Sequence, residues 1–290
     1  MTSGFPTLWD SRSFGQALDA AFNALVAAWG ETLEWFFMPV LRLLRLMEQG
    51  LQTLPWWVVL AGLAGLTFWA SRNWGTAALV GVLTVALGLL GIWNEAMATI
   101  ALMVVATLLS IAIGVPTGIL MSRSDRLRTV AMPVLDIMQT MPIFVYLIPF
   151  VMLFGPGKIP ALLATIVFAV PPAVRLTDLG IRQVDAEILE ASRAFGASPR
   201  QQLFSVQLPL ALPSVMAGVN QTTMMALSMV VIASMIGAGG LGYQVLQGIQ
   251  RLEVSRGLMA GLGIVFLAVI FDRIAQALGR RMQASLHQEG

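Results

Sequence analysis

Apolar residues fall in long uninterrupted blocks along this chain, and the polar residues are gathered between them. Seven blocks are long enough to cross a bilayer, at about 55–71, 76–93, 96–121, 133–155, 159–176, 211–236 and 257–278. The first is short for the ~30 Å of hydrocarbon it would have to cross. One polar stretch stands out, RQVDAEILEASRAFGASPRQQLFSVQLP from Arg182 to Pro209. Its pattern predicts two short helices. Asp185 is an N-cap, Ile188, Leu189, Ser192 and Phe195 share a face, and Gly196 is a stop. Ser198 then caps a second helix, with Pro199 at its first position and Gln201 closing a capping box. A capped amphipathic hairpin on a membrane surface needs a partner for its apolar face. Residues 31–50, ETLEWFFMPVLRLLRLMEQG, predict something else. They are too charged and too short to span, so we expect an interfacial helix with Pro39 as kink or start point. The competing reading is a soluble helix packed on an external tail.

Within the polar stretch, Glu190-Ala191-Ser192, then Gly196 after three residues, then Val206-Gln207-Leu208-Pro209 after nine, resemble the cytoplasmic EAA loop of ABC-importer permeases. Ser192 stands at the second Ala of that pattern, a small-for-small change. A wider resemblance runs from about Ile92 to Gly279. MQTMPIFVYLIPFVMLFG, FAVPPAVRLT and ALSMVVIASMIGAGGLG are similar to the glycine betaine/proline betaine branch, and choline permeases look as close. The resemblance implies an all-α, polytopic type I ABC-importer permease with a five-span core at 94–290 and a cytoplasmic coupling hairpin at 182–208. Residues 1–54 would be an external tail carrying the interfacial helix, and 55–93 two peripheral spans. Glu190, Ala191, Ser192, Arg193, Phe195, Gly196, Ser198, Pro199, Leu208 and Pro209 would couple to the ATPase. Implied partners are a second copy of the chain, two ABC ATPase subunits carrying ATP and Mg, and a separate periplasmic binding protein. No binding domain is expected after the last span. The resemblance places the chain in a bacterial inner membrane as importer of a quaternary amine. Open alternatives are another small amine or zwitterion (proline, carnitine, trimethylamine oxide) or a self-sufficient secondary transporter or channel.

Composition points the same way independently. Charged residues make up 11% of the chain against a usual ~25%, and apolar residues reach 57%. A basic balance could suggest nucleic acid, but the net charge is only +2 and the arginines are scattered between apolar blocks. Lipid is therefore the expected surrounding, and nucleic acid is not an expected partner. Without cysteine, no disulfide framework or thiolate chemistry is possible. With the hairpin inside, seven spans place eleven Arg in the cytoplasm and six Lys or Arg outside, the sign of the positive-inside rule. The N-terminus is then periplasmic and the C-terminus cytoplasmic. All eight Trp precede residue 94, and Trp56, Trp57, Trp69, Trp74 and Trp93 fall at the ends of the first two blocks, as interfacial anchors do.

Catalytic patterns are missing. Lys158 follows Gly157 but precedes Ile159, so there is no P-loop, and the single His287 lies at the very end of the chain. The chain itself should hold no cofactor and hydrolyse no ATP. Asp136 is the acid best placed inside a core span, about one turn from its inner end. An interfacial or capped carboxylate is favoured there over a proton relay. Asp272 and Arg273 read the same way. Gly114-x-x-x-Gly118 and Gly257-x-x-x-Gly261 permit close helix approach. Pro116, Pro142, Pro149, Pro171 and Pro172 should bend their spans, and Gly237 to Gly242 should form a flexible reentrant turn. If the permease meets a cation, Phe144 and Tyr146 are the candidates, with Asn220, Met224 and Ser228 facing them. Ordinary helix packing is the favoured reading of all five.

Overall fold

The computed structural model describes residues 11–286, and every regular element among them is helical. In chain order these are α1 (Ser11–Thr53), α2 (Trp56–Ser71), α3 (Trp74–Leu89), α4 (Trp93–Ser122), α5 (Asp125–Thr140), α6 (Ile143–Phe154) and α7 (Lys158–Arg182). Then come α8 (Ala186–Ala194), α9 (Pro199–Gln201), a π-helical turn (Gln202–Gln207), α10 (Leu208–Ala233), a second π turn (Ser234–Ala238), α11 (Leu241–Arg251) and α12 (Val254–Leu286). His287 and the first ten residues of the expected external tail lie outside the described residues.

The centre of the bundle is α7, held between α4 and α10. Small residues set how close these helices come. A Cβ added at Gly118 would lie 2.6 Å from the Val174 carbonyl oxygen, so α4 and α7 meet backbone to backbone there. Gly114, one turn earlier, packs on Ala173 of α7, as the spacing predicts. Toward the other end of the bundle, Met103, Val105, Leu147, Leu162, Met229 and Val230 make one buried cluster from α4, α6, α7 and α10. The α2–α3 pair is peripheral. Its Val59, Val80 and Leu87 pack on Leu267, Ile270 and Ile274 of α12, while Trp56, Trp57, Trp69 and Trp74 at the helix ends stay exposed. Trp69 also lies under the Arg281 guanidinium, 3.7 Å from ring centroid to Cζ, which joins the C-terminal ends of α2 and α12.

Four helical stretches among the described residues are long and apolar enough to cross a membrane: Trp93–Ser122, Lys158–Arg182, Pro199–Ala238 and Val254–Met282. The apolar blocks at 55–71 and 76–93 fold as helices of 16 residues. At 1.5 Å per residue each is about 24 Å long, short of the hydrocarbon thickness.

Three expectations are corrected. The block at 133–155 is not one continuous helix. It breaks at Met141–Pro142, and the axes of α5 and α6 differ by 97°. Proline disfavours the α region for the residue before it, and Met141 is extended at φ −67° and ψ 135°. Pro142 also has no N–H to give the Met138 carbonyl one turn back, and the Tyr146 hydroxyl donates to that carbonyl instead. By contrast, helix continues through Pro116, Pro149, Pro171 and Pro172.

The predicted interfacial helix at 31–50 is the second half of the 43-residue α1, and Pro39 lies inside it. One side packs on the core. Leu41 and Leu44 are buried, Phe37 meets Phe154 edge-on, and Glu48 pairs with Lys158 at the start of α7. The other side leaves Trp35, Phe36, Leu43 and Leu46 exposed. One side of this helix is therefore covered by the bundle and the other is left open.

The Gly237–Gly242 segment is not a loose turn. Gly237, Gly239 and Gly240 take positive φ and reverse the chain, and α11 then packs back into the bundle with Leu241 fully buried. The Leu241 N–H donates to Thr99 Oγ1 at 2.9 Å, and Gln244 Nε2 to Glu95 Oε1 at 2.8 Å. Arg256 Nε donates to Gln244 Oε1 at 2.7 Å, tying α12 into the same group.

Candidate functional site

The predicted hairpin forms with the predicted caps. Asp185 Oδ1 accepts the Glu187 N–H at 2.9 Å and starts α8. Gly196 ends it at φ +82°, with the Ala197 N–H on the Ser192 carbonyl and the Gly196 N–H on the Arg193 carbonyl. This is the Schellman closure. Nothing lies within 4 Å of a Cβ placed on Gly196, so its dihedral, not its space, demands glycine. The Ser198 N–H donates to Gln201 Oε1 at 2.9 Å, and the Gln201 N–H to Ser198 Oγ at 3.4 Å, completing the capping box over Pro199.

The second helix is not separate. α9 is one turn long and runs through the π turn into α10 without a break, so one rod extends from Pro199 to the end of α10 and stops short of the kink at Ile236 and Gly237. Pro209 near the start of α10 explains the π turn. In α register its ring would crowd the Ser205 carbonyl and leave it without a donor. The extra residue in the turn relieves this, with the Leu208 N–H reaching the Leu203 carbonyl.

Gln202 clamps the hairpin shut. Its buried Nε2 donates to the Leu189 carbonyl at 2.9 Å and to Ser192 Oγ at 3.0 Å, which fixes α8 on the rod. Sequence reasoning passed over Gln202 because it counts as one more polar residue in a polar stretch. We expect Gln202→Leu to loosen α8 against the rod, because the Ser192–Leu189 side loses both bonds at a cost of about 1–3 kcal/mol. Faster amide exchange across 186–195 checks this, and unchanged exchange refutes it.

Around the hairpin Glu190, Ala191, Arg193, Ser198 and Pro199 are all exposed, and Ser192 is half-buried beneath them. Phe195 is 92% exposed at the tip, Phe204 61% and Ile188 43%. Phe204 extends the apolar surface beyond the residues the sequence singled out. Leu208 and Pro209 lie apart, at the root of the hairpin, where Leu208 packs on Ile181, Leu203, Ala211 and Val215. They anchor the rod rather than line its exposed tip. Arg123 at the end of α4 donates to the Pro199 carbonyl at 3.3 Å, a further tie between hairpin and bundle.

Beneath the hairpin lies a buried acid that the block boundaries concealed. Because α7 continues to Arg182, Asp178 falls inside it and has no exposed surface. Its Oδ1 accepts from Arg182 Nε at 2.9 Å and its Oδ2 pairs with Arg128 Nε at 3.2 Å. Asp136, the acid chosen from sequence, is instead largely exposed and pairs with Arg175 at 2.5 Å. That fits the interfacial reading.

The five pathway candidates do not form one site. Phe144 is exposed on α6 beside a cavity of about 270 Å³ shared with Leu147, Ile148, Val151, Met152 and Ile236. Tyr146 is 4% exposed, packs edge-on against Phe168, and serves the freed carbonyl described above. Asn220 faces a different cavity of about 270 Å³, between α10 and α12, with Met216, Gln276 and Arg280. Asn220 and Ile236 are sixteen residues apart along α10 and the turn that follows, about 24 Å, so Asn220 cannot meet Phe144. Met224 is partly buried, and the Ser228 hydroxyl donates to the Met224 carbonyl of its own helix.

Comparison with known proteins gives a consistent picture. Residues 110–284 match the family described as binding-protein-dependent transport system inner membrane component. The chain is 58% identical over 206 residues to the glycine betaine/proline betaine transport system permease protein ProW of Escherichia coli (strain K12), covering 71% of this chain. It spans only 58% of that relative's length. It is 40% identical over 269 residues to the glycine betaine transport system permease protein OpuAB of Bacillus subtilis (strain 168), covering 92% of this chain and 89% of that one. Among solved structures, an inward facing conformation of the MetNI methionine ABC transporter superposes with TM-score 0.55 and 25% identity. That match covers 65% of this chain and 93% of the other.

Proposed function

The chain belongs to the family of binding-protein-dependent transport system inner membrane components, and from that premise we propose that it is the permease subunit of an ATP-driven importer of a quaternary amine such as glycine betaine, proline betaine or choline. The observation that carries the mechanism is the hairpin. Phe195 stands 92% exposed on a doubly capped tip, and that tip continues into a membrane-crossing rod. An apolar tip held this firmly suits docking on a separate ATPase, whose closure it would pass to the spans. ATP and Mg then belong to that partner, two copies of this chain form the passage, and an external binding protein delivers the amine. The names of the relatives support the substrate class, and the scarcity of ionisable residues in the core supports a passage rather than a proton-coupled carrier.

The test is uptake of labelled betaines, choline and proline into vesicles holding this chain with its ATPase and binding protein. ATP-dependent uptake of a quaternary amine is expected. Uptake without the ATPase would instead support a secondary transporter.

Orientation is part of the proposal, with the hairpin inside and α11 outside. In this cysteine-free chain, single Gln250→Cys and Arg280→Cys variants should differ in labelling by an impermeant maleimide. Gln250→Cys should react in intact spheroplasts and Arg280→Cys only after lysis. Equal labelling in intact cells would overturn the topology.

Selectivity should rest with the binding protein. Phe144→Ala is expected to leave the choice of amine unchanged when that protein is saturated. A desolvated cation–π contact of ~2 kcal/mol would make the loss roughly thirty-fold. A fall of that size, with normal assembly, would place a cation site on α6.

A further inference from the structure

We infer that α5 and α7 are joined by a sign-alternating ionic ladder that locks the half-span α5 in one register and carries hairpin movement into it. The inference rests on the coupling function proposed above. Three pairs run down the two antiparallel helices. Asp125 meets Arg182 at 2.7 Å, Arg128 meets Asp178 at 3.2 Å, and Asp136 meets Arg175 at 2.5 Å.

Few other contacts place α5. Leu135 is its one fully buried residue, packed on Met121 and Val174 with partial help from Ala131, Met132 and Met138. Pro142 cuts it off from α6. Val130, Val134 and Ile137 are exposed, so the bundle leaves that side of the helix open.

The order of signs makes the ladder specific. Along α5 it reads minus, plus, minus, and along α7 plus, minus, plus. A slip of one turn in one direction brings Asp125 toward Asp178 and Arg128 toward Arg175. A slip the other way brings Arg128 toward Arg182. Each is a like-charge encounter. Intermediate registers are thus disfavoured, and α5 is either engaged or released.

The rungs differ in strength. Asp178 is wholly buried, so losing its partners would strand a charge away from water. Asp125 is 88% exposed and Asp136 64%, so the end rungs set register more than they hold. Arg182 belongs to both sides of the device. It accepts restraint from Asp125, Asp178 and the Met121 carbonyl, and it stands three residues before the Asp185 cap of the hairpin. Movement of the hairpin therefore reaches α5 through charge as well as through the packing of Leu135 on Val174.

The experiment uses the full transporter with its ATPase and binding protein. Asp136→Arg and Arg175→Asp are made singly and together, and Arg128→Asp is made alone, because Asp178 also holds Arg182 and has no charge-swapped partner. Amide exchange over 125–140 and ATP-driven uptake are both measured. Each single reversal should speed exchange and reduce uptake by about tenfold, and the paired Asp136→Arg, Arg175→Asp reversal should restore both to within about threefold. The exposed Asp136–Arg175 rung decides the matter if the Arg128→Asp variant does not fold. Single reversals with normal exchange, or a paired reversal no better than the single ones, would overturn the ladder. Faster exchange with normal uptake would overturn its role in coupling. Should the wild-type chain carry no amine at all, the proposed function fails while the exchange data still decide the ladder.

Discussion

Gly242→Ala should cost most of the correctly assembled protein. A Cβ at this position would overlap the carbonyl oxygen of Val231 and come within 2.9 Å of its carbon, both backbone atoms of the rod. No side-chain rotation can relieve that, so α11 must move away from the rod. The movement would pull on Leu241, fully buried and bonded to Thr99, and on the Gln244 bonds to Glu95 and Arg256. Overpacking in a rigid interior costs typically 1–3 kcal/mol, and a clash with backbone belongs at the upper end or above it. Thermal unfolding of the solubilised protein should drop by several degrees, with a matching fall in monodisperse yield. Gly261→Ala is the control. It lies inside α12 with nothing within 4 Å of the added carbon, so alanine there should lose no stability. Equal stability for the two variants would mean that α11 does not approach the rod so closely.

Gly196→Val should separate folding from transport. The residue is an exposed turn at φ +82° with empty space around it, so the bundle is untouched. The left-handed conformation costs an ordinary residue about 1–2 kcal/mol, and a branched one suffers most. That is enough to shift the hairpin's population by roughly five- to thirty-fold. The variant should reach the membrane in normal amount, lose co-purification of the ATPase, and lose uptake by at least about tenfold. Gly196→Asn should keep much of both, because asparagine tolerates this region. Normal uptake by the valine variant would remove the hairpin tip from coupling.

Local rules made the hairpin legible. Caps, a stop and a proline at the first position each act within four residues, and Asp185, Gly196 and Ser198 behave as their chemistry requires. The resemblance of Glu190 to Pro209 then supplied a function that no local rule could. What was missed depended on contacts distant in sequence. Leu44 and Glu48 turn α1 from a surface helix into part of the core through partners more than fifty residues away. Asp178 falls outside the apolar block, which ends at 176, whereas Arg128 and Arg182 allow the helix to carry a buried carboxylate onward. Phe144 and Tyr146 are two residues apart, about 200° around a helix, so one of them had to face inward. The sequence alone does not say which. Nor does proline content predict breakage: the chain yields at Pro142 but not at Pro116 or Pro213.

The continuity of the rod from Pro199 into α10 bears on how a push travels. Near its middle it packs closely on α7, where the Ser214 Cβ lies 2.6 Å from where a Cβ on Gly180 would stand. From Pro199 to Ser214 is about 22 Å, and from Ser214 to the end of α10 at Ala233 about 28 Å. A stiff beam pinned near its middle works as a see-saw. Tilting its inner arm toward a twofold axis would swing its outer arm away by about the same distance. In the two-copy assembly proposed above, two such beams drawn together below would open above without any bending of their own.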